Sequence, residues 1–214
     1  MIARPRHLVI FARRPRLGVG KRRLAADVGD VEALRFARGA LDQLIRTLAP
    51  DPRWHLWLAV APDRPLDWVP AGTALPQGPG DLGQRLTRVI RHLPPGPVVV
   101  LGSDTPTVTR ADVAAAFRAL GPHRAVFGPA PDGGYWLIGL RRGPGERLPF
   151  AGVRWSTPDT LSDTLARLEG SPVAMLRLQE DVDDGPALKR YRAGGAPNLR
   201  GQSDASLETR SGSH

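Results

Sequence analysis

An acidic residue follows the most apolar run of the sequence. Val98 to Leu101 are four apolar residues, three of them β-branched, and they lead through Gly102 and Ser103 to Asp104. This pattern predicts a buried strand that ends at a carboxylate. Because ligands of open α/β sheets bind beyond the carboxyl ends of the strands, Asp104 is well placed to hold a cation against a phosphate. The alternative is a plain turn aspartate that caps the following loop.

A basic loop spans residues 13–23, directly after the first predicted strand. It contains Gly18, Gly20 and Lys21, with arginines at positions 13, 14, 16, 22 and 23. Glycine lets backbone N–H groups approach an anion, and lysine supplies a compact positive charge for a phosphate. The loop is not a P-loop, because Arg22 stands where that motif needs Ser or Thr. We therefore predict a polyphosphate-binding loop of another kind, with a solvated basic turn as the alternative.

Two further carboxylates, Asp181 and Asp183, follow the last predicted strand. Alternate residues of an extended segment point to the same side, so this pair could complete the ligand shell of a divalent cation begun by Asp104. The alternative is an acidic helix N-terminus before Pro186, where aspartate favours the helix dipole. Both interpretations stay open, and they can hold together.

Two glycine-rich segments could contact other parts of a ligand. Residues 77–85 begin with Gln77 and enter a helix, so backbone donors and a side-chain amide could read the edge of a base. Residues 132–136 place two glycines before Tyr135 and Trp136, which allows a ligand to approach the backbone and stack on the rings. The alternatives are a simple helix start and a tight hairpin.

The composition excludes several classes of function. The absence of cysteine excludes disulfides, thiolate metal sites and a cysteine nucleophile, and it fits a cytoplasmic location. The apolar runs are too short to span a bilayer, the five histidines lack metal-ligand spacing, and no Gly-x-Ser-x-Gly elbow is present. The net charge is +9, but the arginines are scattered and only 6% of residues are aromatic, which disfavours nucleic-acid binding.

The order of predicted elements indicates an α/β fold. Apolar runs predict strands over residues 7–12, 54–60, 98–101, 125–127, 135–138 and 173–178. Helical spacing predicts four helices. The first begins with Asp30 as its N-cap and the second begins near Leu82. The third begins at a capping box formed by Thr109 and Asp112, and the fourth begins at Thr157, with Pro158 at the first helical position. Residues 61–81 read as a loop. We expect a three-layer α/β/α sandwich with a mainly parallel sheet, a single domain over 1–190 and a disordered tail over 191–214.

Six segments, taken in order, resemble one bacterial family. They are Phe11-Ala12-Arg13-Arg14-Pro15 with Gly18 and Lys21-Arg22-Arg23-Leu24; Gln77-Gly78 with Asp81-Leu82-Gly83 and Arg85; Gly102-Ser103-Asp104-Thr105-Pro106; Gly128-Pro129 with Asp132-Gly133-Gly134-Tyr135; Trp155-Ser156-Thr157; and Asp181-Val182-Asp183. This set resembles the DUF2064 proteins, which are glycosyltransferase A-like and are described as radical-SAM-associated or arsenosugar-biosynthesis transferases. The resemblance covers about residues 7–190. Arg22 departs from the family's usual Thr, and Thr105 from a common Cys, which leaves the nucleotide and acceptor preference open.

The resemblance implies the nucleotide-diphospho-sugar transferase (GT-A) fold and a site. It implies catalytic roles for Lys21 and Asp104, and a Mg²⁺ or Mn²⁺ site at Asp104 and Asp183. The implied nucleotide-binding residues are Ala12, Arg13, Arg14, Gly18, Gly20, Lys21, Arg23, Gln77, Gly83 and Arg85. The implied acceptor- or sugar-binding residues are Asp132, Gly133, Gly134, Tyr135 and Trp155.

Three hypotheses for the function follow. The first is metal-dependent nucleotidyl transfer from an NTP to a phosphorylated small molecule, favoured by the lysine-bearing loop after the first strand. The second is glycosyl transfer from an NDP-sugar to a small acceptor, and the third is a non-catalytic nucleotide- or nucleic-acid-binding protein. Each expects a nucleotide partner and no membrane, and the sequence leaves the base, the acceptor and the oligomeric state open.

Overall fold

The computed structural model describes residues 5–63, 74–143 and 145–194. Residues 195–214 of the predicted disordered tail lie outside the described residues. The strands are β1 (His7–Arg13), β2 (His55–Ala61), β3 (Ala74–Pro76), β4 (Val98–Gly102), β5 (Ala125–Pro129), β6 (Tyr135–Leu140) and β7 (Val173–Met175). The helices are α1 (Arg22–Val28), α2 (Asp30–Leu48), α3 (Leu82–His92), α4 (Arg110–Ala119), α5 (Thr160–Ala166) and α6 (Gly185–Arg192).

The strands of the described residues form one mixed sheet in the order β3-β2-β1-β4-β6-β5-β7. Neighbours are parallel except at β6, which runs antiparallel to both β4 and β5. The reversal arises because only five residues, 130–134, connect β5 to β6, which suffices for a hairpin but not for a crossover. The predicted α/β fold with a mainly parallel sheet is confirmed.

Apolar side chains alternate between the two faces of the central strands. Leu8 and Ile10 of β1 pack in a core cluster with α2 and α4, whereas Val9 packs in a second cluster with α3. Successive residues of a strand point to opposite faces, so a continuous apolar run supplies both clusters. Helices therefore cover both faces, which gives the predicted three layers.

Several predicted boundaries differ from the structure. Helix α1 was not predicted, and the short strand β3 lies where the sequence indicated a loop. Asp30 is the first residue of α2 rather than its N-cap, which is Gly29. Thr157 and Pro158 belong to a turn before α5 rather than to the helix, because the backbone N–H of Thr160 first bonds to the Thr157 carbonyl. The capping box at Thr109 and Asp112 is confirmed.

No helix among the described ranges is long and apolar enough to cross a membrane.

Candidate active site

A cavity of about 730 Å³ opens at the carboxyl ends of β1 and β4. Its wall also includes the start of β6 and the N-terminus of α3. The charged lining residues are Arg13, Arg14, Lys21, Arg22, Arg23 and Arg85, with Asp81, Asp104 and Asp183. The excess of basic groups makes the cavity suited to a polyanionic ligand.

The loop between β1 and α1 bends sharply at its end. Gly18 has φ +69°, Gly20 has φ +75° and Lys21 has φ +47°, so three of four consecutive residues are left-handed. A left-handed non-glycine residue costs of order 1–3 kcal/mol, and such residues cluster at ligand sites. The loop also closes on itself, because the Val19 N–H donates to the Arg16 carbonyl at 3.1 Å. The strained Lys21 is the N-cap of α1 and lines the cavity.

Lys21 links the N-terminal loop to both predicted metal ligands. Its Nζ lies 2.8 Å from Oδ1 of Asp183, 2.9 Å from Oδ1 of Asp104 and 2.7 Å from the Val182 carbonyl. The ammonium also lies 5.6 Å from the centroid of the Phe36 ring. Burial by itself would lower the pKa of Lys21, but the carboxylates of Asp104 and Asp183 outweigh it and raise that pKa. Lys21 is therefore charged and fully partnered.

Asp104 and Asp183 approach the ammonium from different segments of the chain. Asp104 follows β4, and its carbonyl accepts a hydrogen bond from the Val182 N–H at 3.0 Å, which joins the two segments. Asp183 also accepts a hydrogen bond from Arg23 at 3.0 Å through its second oxygen. The two carboxylate side chains remain 47% and 36% exposed, whereas the Lys21 side chain is only 10% exposed. Solvent and ligands can thus reach the carboxylates from the cavity side.

The described residues contain no group of three or more His, Cys, Asp or Glu side chains that could hold a metal ion. Asp104 and Asp183 nevertheless fit one mode of binding. Mg²⁺ in nucleotide sites is held by one or two carboxylates together with phosphate oxygens and water. Two carboxylate oxygens that already contact the same cationic nitrogen meet that requirement, provided that a phosphate completes the shell.

Asp181 lies beside this network but does not line the cavity. Its Oδ1 accepts a hydrogen bond from the hydroxyl of Thr105. Burial, assisted by the charges of Asp104 and Asp183, raises the pKa of Asp181 to about 6, although Thr105 and Lys21 act in the opposite direction. The structure thus separates the two aspartates that the sequence could not distinguish, since Asp183 faces the cavity and Asp181 supports the loop behind it.

Gln77 also lines the cavity, but its amide is engaged with the backbone. Its side-chain Nε2 donates to the backbone carbonyl of Ala12 at 3.0 Å and to that of Ala59 at 2.9 Å. The backbone carbonyl of Gln77 accepts a hydrogen bond from the Arg88 side chain at 2.6 Å. The Gln77 side chain therefore ties together the carboxyl ends of β1 and β2. Only the amide oxygen is left to meet a base, so the predicted role in base reading depends on that atom.

The N-terminus of α3 forms another part of the wall. Asp81 caps the helix, because its carboxylate accepts from the Gln84 N–H at 2.8 Å. Arg85 is held by the Gly80 carbonyl at 2.7 Å and lines the cavity. Gly83 does not line it. A Cβ at Gly83 would lie 2.9 Å from Nε1 of Trp155, so glycine here lets that indole pack against the helix.

The residues predicted to face an acceptor divide into two groups. Tyr135 and Trp155 line the cavity. Asp132, Gly133 and Gly134 do not; they form the turn between β5 and β6, where the Asp132 carboxylate accepts from the Gly134 N–H at 2.9 Å. A Cβ at Gly133 would come within 2.1 Å of the Pro158 carbonyl, so that glycine serves close packing. Gly18 likewise lies outside the cavity lining.

Sequence reasoning assigned no role to several lining residues, among them Ser156 and Asp81. Ser156 has φ +60°, a left-handed conformation that nothing in its residue type signals. Asp81 could have been found, because an aspartate three residues before a glutamine at a helix start predicts a capping box. Ala12, Gly20 and Arg23 line the cavity as well, next to Lys21.

Comparison with known proteins places the chain among bacterial sequences of one family. A family model described as "Uncharacterized protein conserved in bacteria (DUF2064)" matches residues 43–157. No curated protein matches the chain.

Solved structures share the fold. A protein from Desulfovibrio desulfuricans G20, provisionally named a nucleotide-diphospho-sugar transferase, has a TM-score of 0.79 and 27% identity, covering 92% of this chain and 91% of its own. The CMP:2-keto-3-deoxy-manno-octonic acid synthetase complexed with CTP has a TM-score of 0.55 and 14% identity over 89% of this chain and 98% of its own. The bifunctional IspDF of Campylobacter jejuni has a TM-score of 0.51 and 10% identity over 81% of this chain and 50% of its own.

Proposed function

We propose a nucleotidyltransferase activity for this chain, which belongs to the DUF2064 family and is a transferase of the GT-A-like superfamily. The reaction would transfer a nucleoside monophosphate from an NTP to a phosphorylated small molecule and release pyrophosphate. A divalent ion, Mg²⁺ or Mn²⁺, would be bound together with the nucleotide.

The observation that carries this proposal is the position of Lys21. Its ammonium lies within 2.9 Å of both Asp104 and Asp183. Lys21 ends an arginine-rich loop that borders the cavity and that contains residues with left-handed backbone conformation. A triphosphate needs positive charge along its length and carboxylates that share a divalent ion with its oxygens. The CTP complex of the synthetase supports this interpretation, since that protein has the same fold and binds a nucleoside triphosphate.

The proposed chemistry is an in-line displacement at phosphorus. An oxygen of the acceptor's phosphate would attack the α-phosphorus, the bond to the bridging oxygen of the β-phosphate would break, and pyrophosphate would leave with the bonding electrons. Lys21, Arg13 and Arg23 would bind the triphosphate and neutralise the charge that accumulates on the leaving group. Asp104 and Asp183 would hold the metal, which when bound supplies Lewis-acid charge stabilisation on the phosphate oxygens.

The remaining wall would orient the two substrates. Tyr135 and Trp155 offer aromatic surface in the wall of the cavity, which suits an acceptor or a base. The Gln77 amide oxygen would accept from an amino or imino group of the base. Arg85, fixed by the Gly80 carbonyl, would place a charge beside either substrate.

The test is a calorimetric titration with the four common NTPs, with and without Mg²⁺. The chain has two lysines, so Lys21→Ala is matched by Lys189→Ala, which alters an exposed residue of α6. We expect Mg²⁺-dependent binding of one NTP to weaken by about 10²-fold in Lys21→Ala and not in Lys189→Ala. Pyrophosphate release with a panel of phosphorylated acceptors then tests turnover. Unchanged NTP binding in Lys21→Ala would contradict the role of Lys21.

Glycosyl transfer from an NDP-sugar is a second candidate. It is favoured by the provisional name of the Desulfovibrio protein, which is 27% identical over most of both chains. The same calorimetric series run with NDP-sugars separates the two activities. Tight binding of an NDP-sugar with release of an NDP would favour glycosyl transfer, whereas release of pyrophosphate from an NTP would favour nucleotidyl transfer.

We also propose that residues 1–190 act as one domain in the cytoplasm, which the lack of cysteine fits. Helix α6 reaches Arg192 and so extends slightly beyond that boundary.

A further inference from the structure

Asp104 and Asp183 hold one cation between them, and that cation is the ammonium of Lys21. The three short contacts of Nζ, to Asp104, Asp183 and the Val182 carbonyl, match the three N–H donors of an ammonium group. Lys21 therefore cannot contact a phosphate without giving up at least one of these partners. A divalent ion that bridges the same two Oδ1 atoms would have to take the place of the ammonium.

The loop that carries Lys21 has open space around two of its glycines. Gly18 and Gly20 are left-handed, and a Cβ at either position would meet no atom within 4 Å, so the loop around them has open space. On the other side, the side chains of Asp104 and Asp183 are 47% and 36% exposed, whereas that of Lys21 is only 10% exposed. An ion and a phosphate can therefore approach the two carboxylates from the cavity.

We propose that Lys21 is a tethered counterion that competes with the divalent metal for the Asp104–Asp183 pair. Lys21 leaves the pair only when a polyphosphate offers its ammonium a new anionic partner. The consequence is an order of binding in which the nucleotide's phosphates engage Lys21 before both carboxylates hold the metal. This order rests on the proposed function, whereas the competition itself concerns only the protein and the metal.

The competition is tested with Mn²⁺ alone, by measuring free Mn²⁺ with electron paramagnetic resonance. Lys21→Met removes the charge and keeps a side chain that can pack on Phe36. We expect Lys21→Met to bind Mn²⁺ at least about tenfold more tightly than the wild type, because the competing charge is gone. The gain should disappear in Lys21→Met/Asp104→Asn.

The matched control is Arg23→Gln. Arg23 contacts the other oxygen of Asp183 at 3.0 Å and is 74% exposed, so its removal changes the net charge equally without vacating the position between the carboxylates. A gain in Arg23→Gln as large as that in Lys21→Met would overturn the proposal, since it would show that the position between the two carboxylates has no special role in the competition. Unchanged Mn²⁺ affinity in folded Lys21→Met would overturn it too. Lys21→Gln provides a second replacement if circular dichroism shows that Lys21→Met is unfolded.

The order of binding has its own readout. With ¹³C-labelled lysine the protein gives side-chain signals from two residues, and Lys189→Arg identifies the signal of Lys21. We expect CTP, ATP, GTP or UTP, added without metal, to change the NMR chemical shift of the Lys21 side chain. Mg²⁺ added without nucleotide at the same concentration should leave that chemical shift unchanged. A shift produced by Mg²⁺ alone would overturn the order. If no nucleotide shifts the signal under any condition, the proposed function fails, while the Mn²⁺ result still decides the competition.

Discussion

Replacing Asp181 by Asn should stabilise the protein at neutral pH and not at acidic pH. Burial of this carboxyl, beside Asp104 and Asp183, raises its pKa from the ordinary value of 3.8 to about 6. The folded protein therefore binds a proton here more tightly than the unfolded chain does. Between about pH 4 and pH 6 the unfolded state loses this proton first, so the free energy of unfolding falls as the pH rises.

The magnitude follows from the same pKa. The difference between 3.8 and about 6 corresponds to about 3 kcal/mol of destabilisation, fully present above pH 6 and absent below about pH 4. Asn cannot ionise and keeps an oxygen that can accept from the Thr105 hydroxyl. We therefore expect Asp181→Asn to exceed the wild type by up to about 3 kcal/mol at pH 7 and to match it near pH 4.

The assay is urea denaturation of both proteins at several pH values from 4 to 8. Asp42→Asn on α2, where the side chain is exposed, is the control and should leave the pH dependence of the wild type unchanged. A stability difference between Asp181→Asn and wild type that is the same at pH 4 and pH 7 would refute the reasoning, because it would then not arise from ionisation of Asp181.

Two further predictions concern the N-terminus of α3. Asp81→Ala removes the capping box of α3, and Thr109→Ala, the control, removes that of α4. Each should lower the free energy of unfolding by about 1 kcal/mol in thermal or urea denaturation. Of the two residues only Asp81 lines the cavity, so only Asp81→Ala should alter nucleotide affinity in calorimetry, and an affinity equal to that of the wild type would argue against a ligand beside α3. Gly83→Ala should destabilise the protein by about 1–3 kcal/mol and weaken ligand binding, because the added methyl would lie 2.8 Å from the Phe150 carbonyl oxygen and 2.9 Å from Nε1 of Trp155 and would displace the indole. Retained binding, measured in the same titration, would show that the position of the indole does not matter for the ligand.

Local signals in the sequence were sufficient for the elements that carry the site. The continuous apolar runs of β1 and β4 predict buried parallel strands, and their carboxyl ends then bring Lys21 and Asp104 to one edge of the sheet. The sequence could also place Asp183 near that edge, because it follows a predicted strand. The contact of Nζ with both carboxylates fits that expectation.

Other features depend on tertiary contacts that the sequence does not display. Strand β3 has only three residues, ends in Pro76 and exists through its pairing with β2, so its local pattern reads as a loop. Helix α1 follows the left-handed Lys21 and ends at Val28, and its seven residues are too few to show a clear helical period. The role of Gly83 is invisible without Trp155, which comes from a segment about seventy residues later.

The contact between Lys21 and Asp183 spans 162 positions of the chain. During translation the loop of Lys21 leaves the ribosome early, whereas its partners Val182 and Asp183 are among the last described residues to be made. A nascent chain that lacks them therefore has Asp104 but lacks the second counter-charge, Asp183, and the Val182 carbonyl that hold the ammonium in place. Any product truncated before Val182 would carry the basic loop without its finished site.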